Sequence, residues 1–176
     1  MDVHEGRTPL YREEQRFRDT WLGYLLMVPG ALLTAVTGYV LVKQLVFGTP
    51  VGQRPAPDAV LALIGALLLC VGVALVYVGL AGRLVTEVHA DGLAVHLIPL
   101  TRRHFFPYDQ IESCDARRYR PIIEYGGWGV RWGPSGKAYN VSGNDGVQLT
   151  FKDGKGLLVG SRDGEALARA VREARG

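Results

Sequence analysis

The sequence predicts an α+β protein carried on a membrane helical hairpin: two transmembrane helices, then an antiparallel β-sheet or barrel capped by a C-terminal helix. Three observations point there. Two long apolar runs carry almost no charge, alternating segments with Asp-Gly turns follow them, and the chain closes on an amphipathic segment.

Residues 1–20 form a charged leader. Within LYREEQRFRDTW, Glu14 stands four residues before Arg18, and Leu10, Phe17 and Trp21 fall at helical spacing. The leader is therefore expected to be a cytoplasmic juxtamembrane helix, with Trp21 and Tyr24 at the membrane interface.

Residues 21–47 and 59–81 are the two apolar runs. The second has no charge and the first has only Lys43, near its end. A helix rises about 1.5 Å per residue and needs roughly 20 apolar residues to cross about 30 Å of hydrocarbon. Both runs meet that length, and the rest of the 176-residue chain is too short to wrap two such helices as a soluble core. The hairpin is assigned to residues 21–81, with a short external loop at 48–58. Gly65, Gly72 and Gly79 recur at heptad spacing on one face, a seam against the first helix or against a second copy. Lys43 reads as an interfacial anchor rather than a transport residue.

Arg7, Arg12, Arg16 and Arg18 precede the first run, and Arg83, Arg102 and Arg103 follow the second, whereas the connector carries only Arg54. The positive-inside rule then places both termini in the cytoplasm and the protein in the plasma (inner) membrane. From Gly82 onward there are 14 Lys and Arg against 11 Asp and Glu, an excess suited to weak attraction by anionic lipid but too small for nucleic acid. Cys70 and Cys114 lie in different compartments, so neither a disulfide nor a cysteine metal site is expected.

After residue 82 the periodicity becomes alternating. Asp91-Gly92 and Asp153-Gly154 mark two hairpins, because Asp-Gly turns accept positive φ. Phe105, Phe106 and Ile111 are core candidates, with Pro107 at a turn or edge. In RDGEALARAVREAR, Leu167, Ala170, Val171 and Ala174 share a helical face and Asp163 is placed to cap its start.

Between these lies EYGGWGVRWGPSGKAYNVSG, residues 124–143. A phosphate-binding P-loop would need Gly at 131 and Ser or Thr at 138, where the chain has Arg131 and Ala138. Gly126, Gly127 and Gly129 do not open a helix, so a dinucleotide fingerprint fails as well. Read as a strand, the stretch puts Trp128, Val130 and Trp132 on one face, filling core, and Gly127, Gly129, Arg131 and Gly133 on the other, against another backbone or as a shallow groove.

The strand pair TEVHADGLAVH, the segment FPYDQIESC, the hairpin GVQLTFKDGKGLLVGS and the closing helix together resemble bacterial pleckstrin-homology-like (PH-like) domains. With YREEQRFR before the first span and EYGGWGVR in the tail, nearly the whole chain resembles an uncharacterised family of small prokaryotic membrane proteins. The resemblance implies a curved, roughly seven-stranded antiparallel sheet plugged by the C-terminal helix, here a cytoplasmic PH-like domain at 82–176. It supplies no catalytic residues.

No catalytic, cofactor-binding or metal-binding set is assigned. His89, His96 and His104 lack a third ligand fixed by spacing, and Ser113 and Cys114 lack a base with an orienting partner. The candidate interaction surface comprises Arg102, Arg103, Arg117, Arg118, Trp128, Arg131, Trp132 and Lys137. The expected function is a non-enzymatic, membrane-anchored interaction module binding a membrane-protein partner, its own copy as a homo-oligomer, or acidic lipid headgroups. The alternative is a subunit or regulatory part of a membrane enzyme or transporter complex.

Overall fold

The computed structural model describes residues 8–176. It divides into two units: Trp21–Ala81, and the residues up to Thr20 together with Gly82–Gly176.

The first unit is a helical hairpin. Helix α1 (Trp21–Leu41) runs on into a π-helical turn at Val42–Val46, and α2 (Asp58–Ala81) returns. Both helices are long and apolar enough to cross a membrane. Their apolar side chains are largely uncovered, with Leu63 75% and Val28 64% exposed, which separates them from the buried helices of a soluble core. What is buried is small: Gly23, Gly30 and Thr37 on α1, and Gly65, Gly72 and Gly79 on α2. Both sets repeat every seven residues, so the heptad seam of α2 faces α1. A Cβ on Gly72 would meet the Thr34 hydroxyl and the Gly30 carbonyl, and one on Gly79 would meet Met27. Absent side chains let the backbones approach closely, and the seam is made by dispersion. At the loop end, the Gln44 amide donates to the Ala56 carbonyl at 2.8 Å and to Asp58 at 2.9 Å, replacing water for polar groups near the turn.

The second unit holds nine strands in two sheets among the described residues. The first sheet runs β1 (Tyr11–Arg16), β2 (Arg83–Val88), β3 (Gly92–Ile98), β4 (His104–Pro107) in that order, all antiparallel. The second contains β5 (Ile111–Arg118), β6 (Gly129–Gly133), β7 (Gly136–Asn140), β8 (Asp145–Phe151) and β9 (Gly156–Gly160), ordered β5-β8-β9-β7-β6. Only the β7–β9 pair is parallel. A short helix, α3 (Pro121–Tyr125), precedes β6, and α4 (Gly164–Arg175) closes the chain. Helix α4 lies on β5 and β8 and touches β2 and β3, burying Leu167, Ala168 and Val171. The core it covers includes Leu84, Val95, Leu97, Ile111, Val147 and Leu149.

Both hairpins form, Gly154 taking φ +80° as expected, whereas the first turns at Ala90-Asp91 and Gly92 opens β3 without positive φ. Asp163 caps α4 by accepting from the Ala166 N–H at 2.9 Å. Pro107 ends the edge strand β4, where its missing N–H costs no ladder bond.

Three expectations are corrected. The leader is not a helix over its described part: Tyr11–Arg16 is strand β1, in register with β2 from Tyr11 opposite Val88 to Arg16 opposite Arg83. Residues 1–7 of that expected helix lie outside the described residues. An i,i+4 pair such as Glu14 and Arg18 stabilises a helix by only a few tenths of a kcal/mol, less than a full strand ladder that also buries Gln15, and only a single 3-10 turn at Phe17–Asp19 follows it. The β-unit consequently begins before the hairpin, and 82–176 is only its larger part. Second, the sheet is not one seven-stranded barrel but two sheets that do not close. Third, Trp128 precedes β6 rather than belonging to it, and Trp132 is 75% exposed, so the tryptophans do not fill the core. Phe105 and Phe106 are likewise only half-buried, whereas Ile111 is fully buried.

Candidate anion-binding cleft

The β6–β7 hairpin decides the shape of the site. Gly133 and Gly136 pair across the two-residue turn Pro134-Ser135, and Gly136 takes φ +100°. Its Cα lies against the Gly156 carbonyl, leaving no room for a side chain. Gly133 packs its bare face on the Glu124 carbonyl and the Tyr125 ring of α3. These glycines of the Gly-rich stretch therefore lie against backbone, and the turn that mimics a P-loop is a hairpin tip.

Beside that tip is a cleft of about 810 Å³, within the size range of small-ligand sites. Its walls come from β4 (His104, Phe106), the β6–β7 hairpin (Trp132, Lys137, Tyr139), β8 (Gln148, Thr150, Phe151) and the β8–β9 turn with Lys155. Alternation on β7 puts Lys137 and Tyr139 on one face, and register places Trp132 opposite Lys137. The Lys137 ammonium sits 4.6 Å from the Tyr139 ring centre and 5.5 Å from that of Trp132. His104 lies 5.9 Å from Tyr139 and 6.4 Å from Phe106, and Phe106 5.5 Å from Phe151. An aromatic surface thus supports an ammonium.

The lining includes His104, Arg117, Lys137 and Lys155 but no carboxylate. Burial holds the His104 imidazole below its ordinary value, and the neighbouring Lys137 and His96 push it the same way. Beneath the surface, Tyr139 is fully buried and its hydroxyl has no hydrogen-bond partner among the described residues, as is true of one Gln148 oxygen. The Gln148 amide nitrogen donates to the Ser135 carbonyl at 3.2 Å, tying β8 to the hairpin tip.

Of the eight residues singled out from sequence, three reach this cleft: Arg117, Trp132 and Lys137. Arg117 is committed there, donating to Glu124 at 2.9 Å and to the Tyr125 hydroxyl at 3.3 Å. Arg103 is instead bound to Glu87 at 2.9 Å, with His89 3.0 Å away, and Arg102 is exposed beside it. Arg118 pairs with Asp145 at 3.3 Å. Arg131 donates to the Trp128 carbonyl at 2.9 Å, and the Trp128 indole to the Gly143 carbonyl at 3.3 Å, so both serve the loop before β6. Tyr139, Phe151 and Lys155 were not singled out from sequence, and His104 and Phe106 only as a rejected metal ligand and a core candidate. Their only sequence signal is aromatic and basic residues alternating on strands far apart in the chain.

Among the described residues no group of three His, Cys, Asp or Glu is arranged to hold a metal. Burial raises the Cys114 thiol to about 11, which disfavours its thiolate. The arrangement can bind, through one ammonium, an imidazole and aromatic faces, a ligand that is anionic at one end and apolar at the other.

Comparison with curated proteins and with solved structures finds no match. A family model described as a family of unknown function, DUF6141, matches residues 5–175, and the chain belongs to that family.

Proposed function

We propose that the chain is a non-enzymatic, membrane-anchored binding module whose cleft takes an acidic lipid headgroup or a similar anion with an apolar portion. The observation that carries this reading is the Lys137 ammonium held against Tyr139 and Trp132 in a cleft without carboxylates. Among the described residues that charge has no carboxylate partner, and an incoming anion supplies one.

The two exposed apolar helices support membrane anchoring. Pairing of β1 with β2 supports placing both ends of the hairpin on one side of the bilayer, since strands on opposite sides could not hydrogen-bond. The Arg16, Arg18 and Arg83 group at the hairpin's ends favours the cytoplasmic side, by the positive-inside rule. The fold itself favours the PH-like reading. Without the α3–β6–β7 excursion, seven strands and a closing helix remain, the number that the resemblance implies.

The test is binding of the full-length protein to nanodiscs with and without phosphatidylglycerol. Preferential binding of the acidic lipid, weakened in Lys137→Ala, is the expected result. Equal behaviour in both lipids and both proteins at low salt, where the attraction is strongest, would sink it.

A second reading, a subunit of a membrane complex or a homo-oligomer, is favoured by Ile122 and Ile123 on α3, which are 66% and 74% exposed. Crosslinking in native membranes from these two positions, with identification of what is captured, separates a dedicated subunit from a lipid-binding module.

A further inference from the structure

Four side chains able to carry positive charge line the cleft, and two are already neutralised. Arg117 pairs with Glu124 at 2.9 Å and Lys155 with Asp153 at 2.6 Å. Lys137 and His104 have no carboxylate partner among the described residues. They converge on one ring: the Lys137 ammonium is 4.6 Å and the His104 ring 5.9 Å from the centre of Tyr139. The charged or titratable groups facing His104 are Lys137 and the Tyr139 phenol from β7, His96 from β3, and the already paired Arg117 and Lys155 across the cleft. From β8 the lining residues are the uncharged Gln148, Thr150 and Phe151.

Burial, Lys137 and His96 all disfavour the protonated imidazole in the empty cleft. An anion seated beside Lys137 reverses that balance, because an opposite charge within about 4–6 Å favours the protonated ring. We infer that His104 makes this a proton-linked site: a tetrahedral oxyanion binds beside Lys137 together with one proton taken up by His104, so that binding tightens as pH falls. The oxyanion comes from a lipid headgroup or from a free sulfate- or phosphate-type ion. This rests on the cleft being an anion site, as proposed above. The depressed imidazole of the free protein agrees with it.

The experiment measures the affinity of the full-length protein in phosphatidylcholine nanodiscs for two probes, inorganic sulfate and phosphatidylglycerol. Neither probe changes charge between about pH 5.5 and about pH 7.5, so any pH dependence belongs to the protein. The expected result is a tightening of roughly three- to fivefold at the lower pH, corresponding to a rise of about one unit in the imidazole value on binding. NMR of the imidazole should show the same rise. His104→Gln should lose the pH dependence, whereas His96→Gln should keep it. Tightening with sulfate alone or with the lipid alone upholds the linkage and assigns the source of the anion. Binding that is equal at both pH values, or a slope that survives in His104→Gln, overturns the inference while leaving the anion site standing. Failure of the wild type to bind either probe at either pH removes both.

Discussion

The Ser161 hydroxyl donates to the Glu13 carboxylate at 2.6 Å, across 148 positions of sequence. Glu13 stands on the strand before the membrane hairpin, and Ser161 just after the last strand of the domain. The same carboxylate accepts the Arg162 N–H at 2.7 Å, and Gln15 reaches the Gly160 carbonyl at 2.9 Å. The segment preceding the first helix is thereby stitched into the β-unit.

Glu13→Ala should therefore destabilise the β-unit, leaving the Ser161 hydroxyl and the Arg162 N–H without their acceptor. The expected loss is about 1–3 kcal/mol, measured by denaturant unfolding of the full chain. Arg12→Ala on the outward side of the same strand should cost less than about 1 kcal/mol, because its ion pairs with Glu14 and Glu87 are solvent-facing. Equal losses would mean that the stitch does not hold the strand.

In the hairpin, Gly72→Leu should disrupt the helix seam, since its side chain would be driven into Thr34 and the Gly30 carbonyl. Overpacking of this kind costs typically 1–3 kcal/mol. Gly38→Ala should be tolerated, because nothing lies within 4 Å of the added carbon. Comparative unfolding in detergent distinguishes the two.

Trp132→Ala and Lys137→Ala should separate stability from binding. Trp132 is 75% exposed, so its loss should change stability by less than about 0.5 kcal/mol. Both variants should weaken anion binding, and ligand addition to the wild type should alter Trp132 fluorescence. A ligand response that persists undiminished in both variants would place the anion elsewhere.

Acid should loosen the α3 region. Glu124 accepts the Arg120 N–H at 2.7 Å and pairs with Arg117, and these hold its carboxyl below the ordinary glutamate value. A carboxyl lowered in the folded state contributes stability that is present above its unfolded value of about 4.3 and is lost as pH falls through the lower folded value. Glu124→Gln should abolish that part of the pH dependence, seen in hydrogen exchange of residues 120–126 between about pH 5 and about pH 3.

What was legible in the sequence is what short-range chemistry dictates. The apolar runs at 21–47 and 59–81 are long enough to cross a membrane, and the Gly65, Gly72, Gly79 heptad marks the packed face of α2. Asp153-Gly154 and the Asp163 cap are local geometries that need no distant partner. The leader misled because Glu14 and Arg18 fit a helical pattern that β2 outcompetes. Trp132 misled because alternation assigns two faces to a strand without saying which is covered. The cleft was legible only through Lys137, Trp132 and Arg117, since His104 and Phe106 on β4 meet Tyr139 and Phe151, which lie on strands far along the chain.

By itself, then, the sequence determined two helices able to cross a membrane, two tight hairpins and a capped terminal helix, because hydrophobic length, turn residues and capping act within a few residues. Only the tertiary structure decided that the leader joins the β-unit through Glu13 and Ser161. It alone showed that Gly133 and Gly136 rest against backbone, and that Lys137 and His104 share one ring. Those relations depend on strand pairing between distant segments, and no local rule chooses such a pairing; it is selected by the ladder bonds and buried surface of the whole unit.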